Sequence, residues 1–467
     1  MVAGITASCL NLCVCFLNFP LLLYSQPRTP IIINKNPGGL IMRPTKLLVA
    51  CVLSCLVISS AWATNGTFSH GVGQKAQGMG GAGIAFPQDS LAAGTNPAGM
   101  ALVGSRMDMG LTLFRPVRDS ESEGSVFDSI NGKFDGNDTK LFFIPEFGYN
   151  KIINERTSLG VSVFGNGGMN TNYDHGIPMF NGADAPSRTS MNLMQMFIVP
   201  TLAWKLNDNH NFGIGINLVA QSLKIRGIQA FDSALFTKHP GKVTNNGTDY
   251  SYGAGLRVGW LGQLTKWLSL GATYQTRTWM SDFDDYKGML AEGGSFDVPE
   301  NYGVGIAVAF TRKFTVALDV VQINFSDIKS MGNGGPTTNS NWNPLGSSRG
   351  AGFGWDDTTV YKLGLSYQLN PKWILRAGYN HGDAPIGKKE TLFNMLAPAT
   401  VEDHATLGAT WAIDRKSELT FHYMHAFKNE IKGKGSTPEV IHPIFKLGEA
   451  NIKMHQDSFG IGYSRKF

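Results

Sequence analysis

Four basic residues, Arg257, Arg277, Lys362 and Arg376, lie in stretches where apolar and polar residues alternate, each on the polar parity. On a strand that parity puts them on the face opposite the apolar side chains. If such strands close on themselves, the polar face lines a lumen. A guanidinium held there at low dielectric can grip a carboxylate through paired hydrogen bonds. The competing use is to pair with inward acids such as Asp319 and Glu402. His404 and His422 share the inward parity and Asp403 adjoins the first, the residue types of proton transfer. No nucleophile stands in a recognisable turn beside them, so filling a polar lumen accounts for these histidines better than catalysis. The pattern calls for no metal, no cofactor and no catalytic residue.

The elements that must position these residues are fourteen segments of alternating character: 105–115, 140–150, 157–165, 192–206, 210–226, 250–261, 267–281, 300–311, 314–327, 358–369, 372–381, 402–413, 418–428 and 457–467. In one, Tyr252, Ala254, Leu256, Val258 and Trp260 oppose Ser251, Gly253, Gly255, Arg257 and Gly259. In another, Tyr302, Val304, Ile306, Val308 and Phe310 oppose small residues. The apolar face often ends in Tyr, Trp or Phe, as a lipid-facing band bordered by aromatics does. Connections alternate without exception between short polar turns and long loops. A water-soluble sandwich has no reason to keep that order, whereas a membrane barrel does. Hydrocarbon tolerates no open sheet edge, so the last strand, in "DSFGIGYSRKF", must pair with the first. The expected fold is an all-β, 14-stranded antiparallel transmembrane β-barrel over 105–467.

Charge and cysteine usage agree with an envelope protein. Charged residues are only 16% of the 467, and glycines number 56. The formal net charge of +5 comes mostly from residues 1–63, which hold Arg28, Lys35, Arg43 and Lys46 and no acid. The rest is close to neutral, which gives no basic patch for nucleic acid. All cysteines lie at or before Cys55. From Met42, "MRPTK", an apolar run and "SSAWA" read as a secretion signal over 42–63, with the mature chain starting at Thr64 and 1–41 a doubtful extension.

Residues 64–104 precede the first strand and do not alternate. "GVGQKAQGMGGAGIAFPQDSLAAGTNPAGMALVG" is glycine-rich, with apolar Ile84, Phe86, Leu91, Met100 and Leu102. Such a segment suits a small irregular hatch folded inside the barrel. No strand-to-helix context or Lys-Ser/Thr supports a phosphate loop. Asn96-Pro97-Ala98 in this segment resembles the NPA motif of the FadL-type outer-membrane transporters. "LAWKLNDNHNFGIGINLVAQSLKIRG", "WDDTTVYKLGLSYQLNPKWILRAGYNHGDAPI" and "ELTFHYMHAF" are similar to hairpins of that family, so the resemblance covers essentially the whole mature chain.

The resemblance implies passive transport of hydrophobic molecules across the bacterial outer membrane: long-chain fatty acids, or aromatic hydrocarbons in related branches. Capture would occur on outer loops, at Phe231, Leu235 and Phe236 and at Met289 and Leu290. An internal pocket would follow, and then sideways exit through a strand break. The third segment offers that break at Gly165-Asn166-Gly167-Gly168, since glycine inside a strand marks a bulge or kink, or simply the strand's end. Phe467 is similar to the terminal aromatic that the barrel-assembly machinery reads. The surroundings implied are outer-membrane lipid and lipopolysaccharide. A general porin is the alternative, which the pre-barrel segment argues against.

Overall fold

The computed structural model describes residues 65–181, 188–337, 343–438 and 447–467; the extension and secretion signal expected over 1–63 lie outside these. Fourteen long strands follow one another: β1 (Arg106–Glu123), β2 (Phe142–Ile152), β3 (Thr157–Tyr173), β4 (Thr189–Lys205), β5 (His210–Arg226), β6 (Asp249–Gln263) and β7 (Leu268–Gln275). Then come β8 (Asn301–Ala309), β9 (Phe314–Ile323), β10 (Thr358–Asn370), β11 (Trp373–Gly382), β12 (Asp403–Ala412), β13 (Ser417–Ile431) and β14 (Glu449–Lys466). Each pairs antiparallel with the next, and β14 pairs with β1 from Arg106↔Lys466 to Glu123↔Glu449, closing the barrel. Short strands Gly132–Asp135 and Trp279–Met280 add to β1 and β6.

The alternation becomes wall and lumen. Leu256 and Val258 of β6, Tyr302 and Val304 of β8, and Tyr361 and Leu363 of β10 are exposed on the outside. Lipid, not protein, is the medium for such a face. Toward the long-loop end the outward face turns polar at tyrosine–carboxylate bonds. Tyr379 donates to Asp403, which also bonds His381 Nδ1 at 2.7 Å. Tyr423 and His425 Nδ1 bond Asp457 in the same way, at 2.7 and 2.8 Å, and Tyr274 donates to Glu300.

Several strand limits differ from the expected ones. β1 runs to Glu123 and β14 starts at Glu449, because backbone pairing continues after the outward residues turn polar at Asp119, Glu121 and Lys453. β3 does not stop at its glycines but continues to Tyr173. The segment expected over 267–281 breaks after Gln275, and that expected over 314–327 ends at Ile323, where a one-turn helix, Phe325–Asp327, buries Phe325. At the long-loop end the connections form their own apolar core, including Phe283, Tyr286, Phe325, Trp355 and Phe393. The rings of Phe325 and Trp355 meet edge-on with centroids 5.2 Å apart.

Residues 65–104 fill the short-turn half of the lumen. They hold a helical turn at Gln74–Gln77 and 3-10 turns at Ala92–Gly94 and Pro97–Ala101. The small residues on the lumen parity are their bed. A Cβ at Gly364 would fall 2.8 Å from the Met79 side chain, one at Gly305 2.8 Å from Ile84, one at Gly259 2.9 Å from Pro97 and one at Gly462 2.8 Å from Gln74. Only glycine lets wall and hatch approach this closely.

Candidate functional site

The hatch is held by side chains that satisfy backbone groups across the contact. Asn96 caps the turn Pro97–Ala101, its Oδ1 accepting from Ala98 N at 3.0 Å. Its Nδ2 donates to Ile84 O within the hatch and to Trp260 O on β6, at 2.8 and 3.0 Å. The Asn-Pro-Ala motif is thus the hatch's rivet to the wall, with the proline supplying the preset first turn. On β9, Asp319 accepts from Gly83 N and Ile84 N at 2.7 and 3.0 Å. On β2, Glu146 accepts from Gly73 N and Gln74 N at 3.2 and 2.9 Å.

A buried ion network ties the hatch to the closing strands. Lys75 pairs with Glu418 of β13, which also takes Arg106 of β1 at 2.9 Å, and Arg106 pairs with Asp108 at 2.7 Å. Burial and then the neighbouring Arg106 pull the Lys75 ammonium down from its usual value, while Glu418 pulls it back up. His70 of the hatch stacks on His404, with ring centroids 6.2 Å apart, and faces His422 at 6.5 Å. Burial first, then these two imidazoles, hold His70 well below the ordinary histidine range. Asp403 points outward, away from this trio, so no catalytic pairing with His404 forms.

The expected cations separate into distinct environments. Arg376 donates to Gln88 Oε1 and Thr410 Oγ1, at 2.8 and 2.7 Å. Arg277 is a correction: β7 ends before it, so strand parity no longer applies, and it pairs with Asp297 at 2.6 Å. Arg257 and Lys362 both line a cavity of about 70 Å³ between the hatch and strands β6–β10, beside Phe68, Asp319, Val321 and Val360. Lys362 donates to His70 O at 3.0 Å and Arg257 to Gln275. Neither has a carboxylate within 4.0 Å among the described residues, although Asp319 faces Lys362 in the register. Asp319 is engaged by the hatch amides instead, which replaces the expected lumen ion pair.

The same cavity touches Asn166, and there the wall changes. β2 pairs with β3 only from Ile152↔Ser158 to Glu146↔Phe164, so Phe142–Pro145 lack a strand on that side. β3 continues to pair with β4 up to Tyr173↔Thr189, with Asn166 as the extra residue between Gly165 and Gly167. This is a β-bulge, which bends the strand and interrupts its ladder. The hatch lies against it: Ser69 N donates to Asn166 O at 2.7 Å, and a Cβ at Gly167 would overlap the Thr67 backbone.

A family model described as outer membrane protein transport protein (OMPP1/FadL/TodX) matches residues 51–467. The chain belongs to this family. Among solved structures, the Pseudomonas putida toluene transporter TodX is similar at 18% identity and a TM-score of 0.64, covering 85% of this chain and 99% of that one. A Pseudomonas aeruginosa FadL homologue is similar at 17% identity and a TM-score of 0.63, covering 86% and 100%. The Ralstonia pickettii toluene transporter TbuX gives 18%, 0.59, 85% and 99%. At these identities the likeness is one of fold. No curated protein sequence matches.

As a member of the OMPP1/FadL/TodX family, the barrel sits in the bacterial outer membrane, with long loops outward and short turns toward the periplasm. Phe231 and Phe236 meet on the loops with ring centroids 5.9 Å apart, and Phe231 also meets Phe393 at 5.2 Å. Leu235 is 79% exposed beside them, whereas Met289 and Leu290 are buried in the loop core and do not present a groove. Phe467 N donates to Ser105 O at 3.1 Å, and its ring lies 6.0 Å from that of Tyr149. The sequence reading missed Arg118 and the Lys75–Glu418–Arg106 network; Arg118 shares the even, inward parity of Thr112 and Phe114, a signal hidden by its place in an expected loop.

Proposed function

We propose that this barrel carries hydrophobic molecules, long-chain fatty acids above all, passively across the outer membrane. Cargo is taken up at Phe231, Leu235 and Phe236, lodges against the hatch and leaves sideways at Gly165–Gly168. Met289 and Leu290 support the capture loops from within. One observation carries this reading: Arg257 and Lys362, without a carboxylate in ion-pair reach, line a hatch cavity that abuts the β3 bulge. Arg257 then grips the carboxylate, while Phe68, Val321 and Val360 receive the chain. Arg376, already bonded to Gln88 and Thr410, and Arg277, paired with Asp297, are weaker candidates for that grip.

A filled short-turn half speaks against a general porin, which needs a wet bore. Aromatic-hydrocarbon uptake is the second reading, favoured by the fold shared with TodX and TbuX, which are toluene transporters. Binding of labelled oleate and labelled toluene to purified protein separates the two, with Arg257→Gln as the control. The fatty-acid reading expects saturable oleate binding weakened at least about tenfold by the variant, the loss of one charge-assisted hydrogen bond. Toluene binding without oleate binding moves the chain to the second reading, and binding of neither overturns both. A leader removed after Ala63, lipopolysaccharide around the barrel and recognition of Phe467 by the assembly machinery complete the proposal.

A further inference from the structure

Beyond the upper end of β2, the only strand beside β1 among the described residues is the short Gly132–Asp135, paired with Asp119–Ser122, and it has no ladder to β3. The loop that follows it crosses the gap. Gly136 N donates to Arg118 O at 3.0 Å, and Asn172 N donates to Gly136 O at 3.0 Å, so residues 136–138 bridge the two strands. Asn137 accepts from Arg118 N at 2.8 Å and donates back to Arg118 O at 3.1 Å. Beneath this bridge the Arg118 side chain turns inward and is 2% exposed. Its Nη1 donates to Asn170 O and Oδ1 at 2.8 and 2.7 Å, and its Nη2 to Thr139 O. The ring of Phe142 stands 6.0 Å away, and Nε is buried without a hydrogen-bond partner.

Every acceptor is neutral, and no carboxylate lies within 4.0 Å of Arg118 among the described residues. Asp119, its neighbour, points to the other face of the strand. A buried cation without a counter-ion is costly, and one set in a membrane protein's interior marks a functional place by default. Arg118 also borders a second cavity, of about 20 Å³, separate from that at Arg257. Phe114, Met169, Trp355 and Met454 make its walls apolar, and of the residues lining it Arg118 alone is charged.

We propose that Arg118 is a head-group station at the wall gap, holding the anionic head of an amphiphile while its apolar tail lies along Phe114, Met169 and Met454. This rests on the sideways-exit reading above and adds a specificity-determining residue to it. Anionic cargo gains a hold at the gap that neutral cargo of the same length does not.

The test compares uptake of oleate and of oleyl alcohol by liposomes containing the protein, with folding monitored by heat-modifiable migration. Arg118→Gln is expected to lower oleate uptake at least about tenfold and to leave oleyl alcohol within about twofold, the loss of a charged hydrogen-bond pair. Arg118→Lys keeps most oleate uptake. Gln456→Glu leaves Arg118 in place but sets a carboxylate in the same cavity, and is expected to reproduce the selective loss even if Arg118→Gln does not fold. Equal loss of both cargoes, or no loss of oleate in folded Arg118→Gln or Gln456→Glu, overturns the station while leaving transport intact. A wild-type protein that carries neither cargo overturns the transport reading, and the station with it.

Discussion

Where β14 meets β1 the ladder is continuous along both strands, and the hatch reinforces it from inside through Lys75, Glu418, Arg106 and Asp108. Where β2 meets β3 the ladder stops at Glu146↔Phe164. Up to that level the hatch ties both strands, Glu146 accepting from Gly73 N and Gln74 N and Ser162 donating to Ser90 O. Beyond it a bulge follows, met by the backbone hydrogen bond from Ser69 to Asn166. The ladder is therefore unbroken at the seam that joins the barrel's ends and interrupted a short way round the wall. The buried ion network sits at the seam, while the polar rivets of Asn96, Asp319 and Glu146 are spread over β6, β9 and β2. At the bulge the hatch meets the wall through glycine and a backbone contact. A transporter that releases cargo sideways needs both, because a weak seam would open the barrel altogether.

The contrast can be broken from either side. Glu418→Ala leaves Lys75 buried without its partner and is expected to destabilise the barrel by about 3–5 kcal/mol, read by denaturant unfolding in micelles. A small effect there would mean that the network does not hold the seam. Asn96→Ala removes the cap and the bonds to Ile84 and Trp260, for about 2 kcal/mol, and limited proteolysis should then cut the hatch before the barrel. Deleting Asn166 removes the extra residue of the bulge and straightens β3. The barrel should fold as before, and oleate uptake into liposomes should drop about tenfold, equal to roughly 1.4 kcal/mol on the path. Undiminished uptake would place the exit elsewhere. Leu235→Ala, at an exposed loop position, should change stability by less than about 0.5 kcal/mol and be seen only as slower uptake at low oleate concentration.

Much of this plan was legible in the chain. Side-chain parity and the alternation of short and long connections give the fourteen strands, their inside and the inward aspect of Arg257, Lys362 and Arg376. The upper reaches of β1 and β14 were not legible, because polarity stops alternating where a strand leaves the apolar band while its hydrogen bonds continue. That is why Arg118 was hidden in an expected loop. Arg277 went the other way: a strand pattern ran on through a backbone that had already broken. The glycines of the lumen face were visible as small residues, but what each one receives depends on the path of the hatch across the bore. Nothing local in the sequence encodes that path.

The glycine bed described above has a consequence for traffic. Met79, Ile84, Pro97 and Gln74 rest on the wall at widely separated points of the circumference, with no side chains between to act as spacers. At these points stopper and wall are in direct contact, so a long molecule heading for the periplasm meets the stopper rather than an open gap beside it. A downward route would require the stopper itself to change shape, whereas the proposed sideways route meets it at the Ser69–Asn166 bond.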